Sequence, residues 1–151
     1  MFMIFKKMRE RIHNRVGSKQ PGLSVALISP IAFAFLLTFA GARLISHFFP
    51  GVFLQPSPGL HIHHFTYGVF ILALAAYLAL IHDGPGGKFL IALLMGLGLG
   101  LAFDEFGMWL RLRDDAVARF NYDGFNIVIG FFFLILFAKP GVRLLKRLWP
   151  F

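Results

Sequence analysis

The chain contains no cysteine among its 151 residues. Disulfide bonds, thiolate metal sites and cysteine nucleophiles are therefore excluded, so any bound metal must be held by nitrogen and oxygen atoms. Charge is also scarce, because only 15% of the residues are charged and seven are acidic, whereas 58% are hydrophobic and the mean hydropathy is +0.73. These values are typical of a protein in a lipid bilayer.

The formal net charge of +8 comes from basic residues that flank the apolar stretches. This distribution indicates membrane topology and contact with lipid head groups rather than nucleic-acid binding. A basic arm, residues 1–23, predicts either a cytoplasmic retention signal or a short helix on anionic lipid. Residues 139–151 alternate basic and apolar side chains and predict an amphipathic tail at the membrane interface.

Four apolar stretches between residues 24 and 138 predict transmembrane helices; they cover about 24–49, 65–81, 89–110 and 125–138. At 1.5 Å per residue, the first and third exceed the ~30 Å thickness of the hydrocarbon layer, and the second is about the minimum spanning length. The fourth is shorter, so Tyr122 and Lys139 are expected to anchor its two ends at the interfaces. The Gly- and Pro-containing turn at 82–88 predicts an antiparallel hairpin of the second and third helices. The expected fold is all-α, a four-helix transmembrane bundle.

The orientation of this bundle follows from the lysines and arginines, since cytoplasmic segments carry more of them. Six lie in the basic arm, one in the turn at 82–88 and four in the tail, whereas the predicted loop 111–123 has three and the segment 49–60 has none. Eleven against three predicts that both termini are cytoplasmic. The other two loops are expected on the outer face.

Ionisable side chains accompany two of the predicted helices. His61, His63 and His64 precede the second, and Asp104 and Glu105 interrupt the third. Charged groups at membrane depth are costly and tend to be functional. Asp104 lies sixteen residues beyond Lys88, or ~24 Å along a helix, so the topology brings the acids to the level of the histidines near the outer boundary.

Neutral imidazole and carboxylate groups at one depth suit a divalent metal, zinc or iron. An extended segment turns His61 and His63 to one side, whereas a helical one aligns His61 with His64. The full set of candidate ligands is His61, His63, His64, Asp104, Glu105 and His47. The resulting hypothesis is a small membrane protein with a His/carboxylate metal site near the outer face, acting on a lipid-like or other small substrate.

Three alternatives need no metal. In the first, the histidines are polar anchors and Asp104 or Glu105 forms a buried ion pair with Arg43 or Arg111. In the second, the acids serve as a proton relay or as an acid–base catalyst. In the third, the chain is a non-catalytic accessory subunit whose Phe-rich helices contact a larger membrane complex or a second copy of the chain. Membrane lipids are expected partners in every case.

The glycines at 96, 98 and 100 alternate with leucine within the third apolar stretch. They resemble a nucleotide-binding loop, but no strand precedes them. Gly96 and Gly100 instead predict a close helix–helix contact of the small-xxx-small type.

Two motifs together resemble those of a family of small uncharacterised bacterial integral membrane proteins. One is H-x-H-H, from His61 to His64, and the other is D-E-F-x-x-W-L, from Asp104 to Leu110, with Asp123 opening the last predicted helix. The resemblance covers roughly residues 59–130. It implies a four-span fold in a bacterial inner membrane and the same polar residues, and it implies no particular reaction.

Overall fold

The computed structural model describes residues 2–17, 23–50, 54–58 and 60–148. The described chain is predominantly helical, and a short antiparallel hairpin pairs Leu54 with Ile62 and Ser57 with Leu60. In chain order the elements are α1 (Phe2–Gly17), α2 (Leu23–Phe48), β1 (Leu54–Ser57), β2 (Leu60–Ile62), α3 (His64–Ile81), α4 (Pro85–Asp104), α5 (Phe106–Arg111), α6 (Ala116–Arg119) and α7 (Asp123–Leu148). Parts of the predicted arm, residues 18–22, and of the predicted tail, residues 149–151, lie outside the described residues.

Four stretches of the described chain are long and apolar enough to cross a membrane. They are Val25–Phe48, His64–Ile81, Pro85–Asp104 and Ala116–Phe137, the last of which includes α6 and the first part of α7. The predicted helical class and the predicted number of candidate spans are therefore confirmed. The second and third spans are joined by a short turn at residues 82–84, as expected for a hairpin.

Two helix boundaries differ from the sequence-based expectation. The predicted third helix, 89–110, is interrupted at Glu105, so that α4 ends at Asp104 and α5 begins at Phe106. In an unbroken helix, consecutive side chains point about 100° apart, so Asp104 and Glu105 would face different directions. The break at Glu105 allows both side chains to be buried. The last helix continues past residue 138 and through Pro140 to Leu148, where a separate tail is expected. Proline is tolerated within membrane helices when neighbouring groups satisfy the freed carbonyl.

Small residues place α4 directly against two neighbouring helices. A β-carbon added to Gly96 or Gly100 would lie 2.6 Å from a side-chain carbon of α2. On the other side of α4, a β-carbon at Gly98 would lie 2.8 Å from a side-chain carbon of α3, and one at Gly68 of α3 would lie 2.7 Å from the carbonyl oxygen of Gly98. The predicted packing role of Gly96 and Gly100 is confirmed. Helix α4 is thus the centre of the bundle.

Phenylalanine side chains join α2 to α7. The rings of Phe35 and Phe39 on α2 lie 5.9 and 5.3 Å from the ring of Phe125, and Phe35 also meets Phe132 edge-on at 6.1 Å. Val128 completes the buried cluster. These contacts hold the beginning of α7 beside the C-terminal half of α2. The loop before α7 therefore lies next to the end of α4.

Candidate functional site

The end of α2, the beginning of α3, the end of α4 and the beginning of α7 meet at one end of the bundle, here termed the polar end. Five ionisable side chains meet there and form the polar cluster: Arg43, His63, His64, Asp104 and Glu105. Asp104 and Glu105 are 3% and 4% exposed. The expectation that both acids point inward is confirmed.

Arg43 and Asp104 form the strongest contact of the polar cluster. The Nε atom of Arg43 donates to Oδ1 of Asp104 at 2.5 Å. The Nη2 atom donates to two backbone carbonyls, that of Asp104 at 3.0 Å and that of Asn121 at 2.5 Å. The predicted ion pair between Arg43 and an acid is thus confirmed for Asp104. Arg111, the other predicted partner, instead donates to Asp123 at 3.0 Å.

Aromatic rings surround the guanidinium group of Arg43. Its central carbon lies 4.9 Å from the ring centre of Phe39, 5.3 Å from that of Tyr122 and 5.8 Å from that of Phe120. Cation–π contacts at such distances favour a guanidinium that is removed from water. Arg43 therefore holds the end of α4 and the loop before α7 together.

Asn121 is a structural partner that the sequence reasoning missed. Its side-chain amide donates to the carbonyl of Ala118 at 2.5 Å, and its side-chain oxygen accepts from the amide of Asp123 at 2.9 Å. A β-carbon at Gly107 would collide with the Asn121 side chain. The glycine at 107, inside an otherwise bulky motif, is the signal that points to this close approach.

The imidazole of His63 lies between two carboxylates. Its Nδ1 atom is 3.4 Å from Oε1 of Glu105, and its Nε2 atom is 3.8 Å from Oδ2 of Asp114. The ring also stacks on Phe65 at 5.9 Å. His63 thus links the buried Glu105 to Asp114 in the loop between α5 and α6. The sequence reasoning did not single out Asp114.

Two buried atoms of the polar cluster have no hydrogen-bond partner among the described residues: Nδ1 of His64 and Oε2 of Glu105. The Nδ1 atom of His64 lies 3.9 Å from Oδ2 of Asp104, beyond hydrogen-bond distance. Within the described part of the chain, Glu105 also has no lysine or arginine at ion-pair distance. A buried carboxylate oxygen without a partner is costly unless a proton, a water molecule or another bound group satisfies it.

Of the remaining predicted ligands, His47 does not join the polar cluster. His47 is exposed, and its ring meets those of Phe48 at 5.1 Å and Phe120 at 6.3 Å. His61 lies on β2, and its side chain is outside the described residues. Among the residues that are described, no three His, Asp or Glu side chains already stand together as a metal site.

A groove of about 480 Å³ opens beside His63. It is lined by His63, Phe65, Met108, Trp109, Leu112, Arg113 and Asp114. Phe65 and Trp109 meet edge-to-face at 4.6 Å and form its apolar wall. Leu112 adopts the left-handed conformation, with φ of 50°, and its side chain is 91% exposed. Because this conformation is unfavourable for leucine, the chain there is held by the loop rather than by local preference.

No family model, curated protein or solved structure matches the chain. The resemblance of the H-x-H-H and D-E-F-x-x-W-L motifs to a bacterial membrane family therefore stays a prediction. Fold and site together define a class: a small helical protein with four candidate membrane spans and a buried histidine–carboxylate–arginine cluster at one end.

Proposed function

We propose that the chain is an integral membrane protein that binds a divalent metal, zinc or iron, in the polar cluster. The observation that supports this proposal is the state of Glu105, which is 4% exposed, has one oxygen without a partner and, among the described residues, has the imidazole of His63 but no lysine or arginine beside it. Arg43 already neutralises Asp104. A divalent cation would supply both the missing charge and the missing partner.

The ligands that this proposal assigns are Oε2 of Glu105 and Nδ1 of His64, completed by His63 and by Oδ2 of Asp104, which lies 3.9 Å from Nδ1 of His64. Imidazole nitrogen and carboxylate oxygen are the ligands that zinc and iron use when thiolates are absent. The contact of His63 with Asp114 resembles the outer carboxylates that orient metal-binding histidines. Binding would draw these side chains closer together. His61 and His47 stay predictions from the sequence.

Metal analysis of the purified full-length protein after incubation with zinc or iron(II) tests the proposal. The wild type is expected to retain about one equivalent of metal after gel filtration, as a three- or four-ligand protein site does. Glu105→Gln and His64→Ala are expected to lose it. His82→Ala is the matched control, because His82 is an exposed histidine at the opposite end of α3. Equal metal content in the wild type and Glu105→Gln would contradict the proposal.

The groove beside His63 supports the further idea that the substrate is lipid-like. Its volume lies within the range of small-molecule sites, and its aromatic wall and charged rim suit an amphiphile. His63 lines the groove and also contacts Glu105, so a molecule in the groove would lie next to the proposed metal. A metal with an open coordination position there would support hydrolytic or oxidative chemistry.

Both termini are proposed to lie on the cytoplasmic side of a bacterial inner membrane, with the polar end outside. The unequal distribution of lysine and arginine supports this orientation. Because the chain has no cysteine, a single introduced cysteine can report directly on which side of the membrane it lies. Leu112→Cys is expected to react with a membrane-impermeant maleimide on intact cells, and Lys7→Cys only after lysis. The opposite labelling pattern would show an inverted topology.

The alternative function, an accessory subunit of a larger complex, gains no specific support. Large apolar side chains are exposed on α7, among them Phe131, Phe133, Leu134 and Phe137. Lipid chains satisfy such a surface as well as a protein partner does. The metal proposal therefore stands as the function that the geometry supports best.

A further inference from the structure

Helix α1 is docked on the bundle rather than separate from it. The ring of Phe5 meets that of Phe33 on α2 edge-on at 5.1 Å and that of Phe89 on α4 at 6.3 Å. Farther along α1, Ile12 is completely buried. These contacts hold the basic residues of α1 at defined positions beside the beginning of α4.

A groove of about 430 Å³ lies between α1 and α4, and here it is termed the α1 groove. Phe5 and Phe89 contribute its apolar surface, and Lys6 and Arg9 contribute two positive charges. Lys6 makes a single 4.0 Å contact with Glu10 in which both side chains are largely exposed, and such pairs contribute little. Arg9 has no ion pair with the described residues. The groove thus has a cationic side without a strong internal counter-charge.

If α4 crosses the membrane as proposed above, the α1 groove lies near the boundary between the lipid head groups and the hydrocarbon layer. Phe89 lies four residues beyond Pro85, where α4 begins, which corresponds to ~6 Å along the helix axis. At this depth the polar part of a phospholipid passes into its acyl chains. Guanidinium and ammonium groups form strong charge-assisted hydrogen bonds to phosphate oxygens.

We propose that the α1 groove is a binding site for an anionic phospholipid. Arg9 and Lys6 hold the phosphate, and the upper parts of the acyl chains lie on the rings of Phe5 and Phe89. The apolar surface distinguishes this ligand from a free phosphate ion, which has no apolar part to contact the two rings. The site is at the other end of the bundle from the polar cluster and does not depend on a metal.

Native mass spectrometry of the detergent-solubilised full-length protein tests this proposal, with phosphatidylglycerol and phosphatidylcholine of equal chain length as the probes. The double variant Lys6→Gln/Arg9→Gln removes the two charges of the groove. Lys7→Gln/Arg11→Gln removes two charges from exposed positions of the same helix that do not line the groove, and is the matched control. Circular dichroism and gel filtration establish that both variants fold.

The wild type is expected to bind phosphatidylglycerol in preference to phosphatidylcholine. The groove variant is expected to bind phosphatidylglycerol about 30-fold more weakly, since it loses two hydrogen bonds to the phosphate that contribute about 1 kcal/mol each. The control variant should bind it almost as the wild type does.

Three results would overturn the proposal. Equal losses in the two double variants would show a general attraction to the charge of α1 instead of a site. Equal binding of the two lipids would remove the role of the anionic head group. Competition by soluble glycerol 3-phosphate as effective as that by the lipid would show a site for a free phosphate group.

Discussion

The middle of α4 is packed through residues without side chains, whereas its end buries two charged ones. In the middle, Gly96, Gly98 and Gly100 remove side chains so that α2 and α3 can approach the backbone. At the end, Asp104 and Glu105 introduce charge into a buried position. The first region is complete in itself, because each glycine meets atoms of a neighbouring helix. The second region is incomplete, because Glu105 and His64 each have a buried atom without a partner among the described residues.

This difference separates groups whose partners all lie within the bundle, which include the glycines and the Arg43–Asp104 pair, from groups with an atom available to a ligand. Close backbone packing needs no ligand and explains the glycines fully. A buried acid that has no lysine or arginine beside it does not stabilise the bundle by itself, because its burial costs free energy unless another group binds to it. Changes in the two regions should therefore have distinct signatures, and the size of each effect tests the division.

The largest expected effect comes from Arg43→Met. This change leaves Asp104 buried without its cation and frees two backbone carbonyls, including that of Asn121. Breaking a buried ion pair by removing one partner costs about 3–5 kcal/mol, so the free energy of unfolding should fall by that amount. Reversible unfolding in mixed micelles measures it.

The double variant Arg43→Met/Asp104→Leu serves as the control for this prediction. Replacing both members of a buried pair with apolar residues is often close to neutral, so the double variant should regain most of the lost stability. If the double variant is as unstable as Arg43→Met alone, the ion pair with Asp104 is not the main contribution of Arg43.

A smaller loss is expected in the middle of α4, from Gly98→Val. The added atoms would meet the side chain of Leu72 and the backbone of Gly68 on α3. Overpacking of this kind costs about 1–3 kcal/mol, with metal binding unchanged because the polar cluster is not touched. Gly130→Ala is the control, since a β-carbon there meets nothing within 4 Å. That variant should be slightly more stable, by about 0.5–1 kcal/mol. A loss in both variants would contradict the packing explanation.

Sequence reasoning predicts the two regions to different extents. The apolar stretches, the hairpin and the glycine contact depend on length, hydropathy and spacing, which are local properties of the chain. The partner of Asp104, in contrast, depends on contacts between residues that are far apart in the sequence. Shared depth allows both Arg43 and Arg111 as partners, and the break at Glu105 decides between them by placing Arg111 on α5, where it meets Asp123.

His47 and Asn121 show where prediction from depth fails. His47 lies at the level expected of a ligand, but its ring is placed among Phe48 and Phe120, because depth along a helix does not determine which neighbours a side chain meets. Asn121 accepts a hydrogen bond from Arg43 through its backbone carbonyl, and a backbone acceptor in a loop cannot be predicted from the type of residue that carries it. Both outcomes depend on tertiary contacts of the segment between α5 and α7.

The smallest expected effect, and the sharpest test of the division, comes from Glu105→Gln in metal-free protein. Asp104→Asn should be destabilising by several kcal/mol, because it leaves Arg43 without its counter-charge. Glu105→Gln removes a charge that no lysine or arginine matches in the described structure, so stability should stay within about 1 kcal/mol or increase. Added zinc or iron should then stabilise the wild type and leave the Glu105→Gln variant unchanged, because bound ligand stabilises only the form that binds it. A large loss of stability in metal-free Glu105→Gln would mean that Glu105 belongs to the structural network with Asp104. The end of α4 would then be as complete in its internal contacts as the middle of the helix.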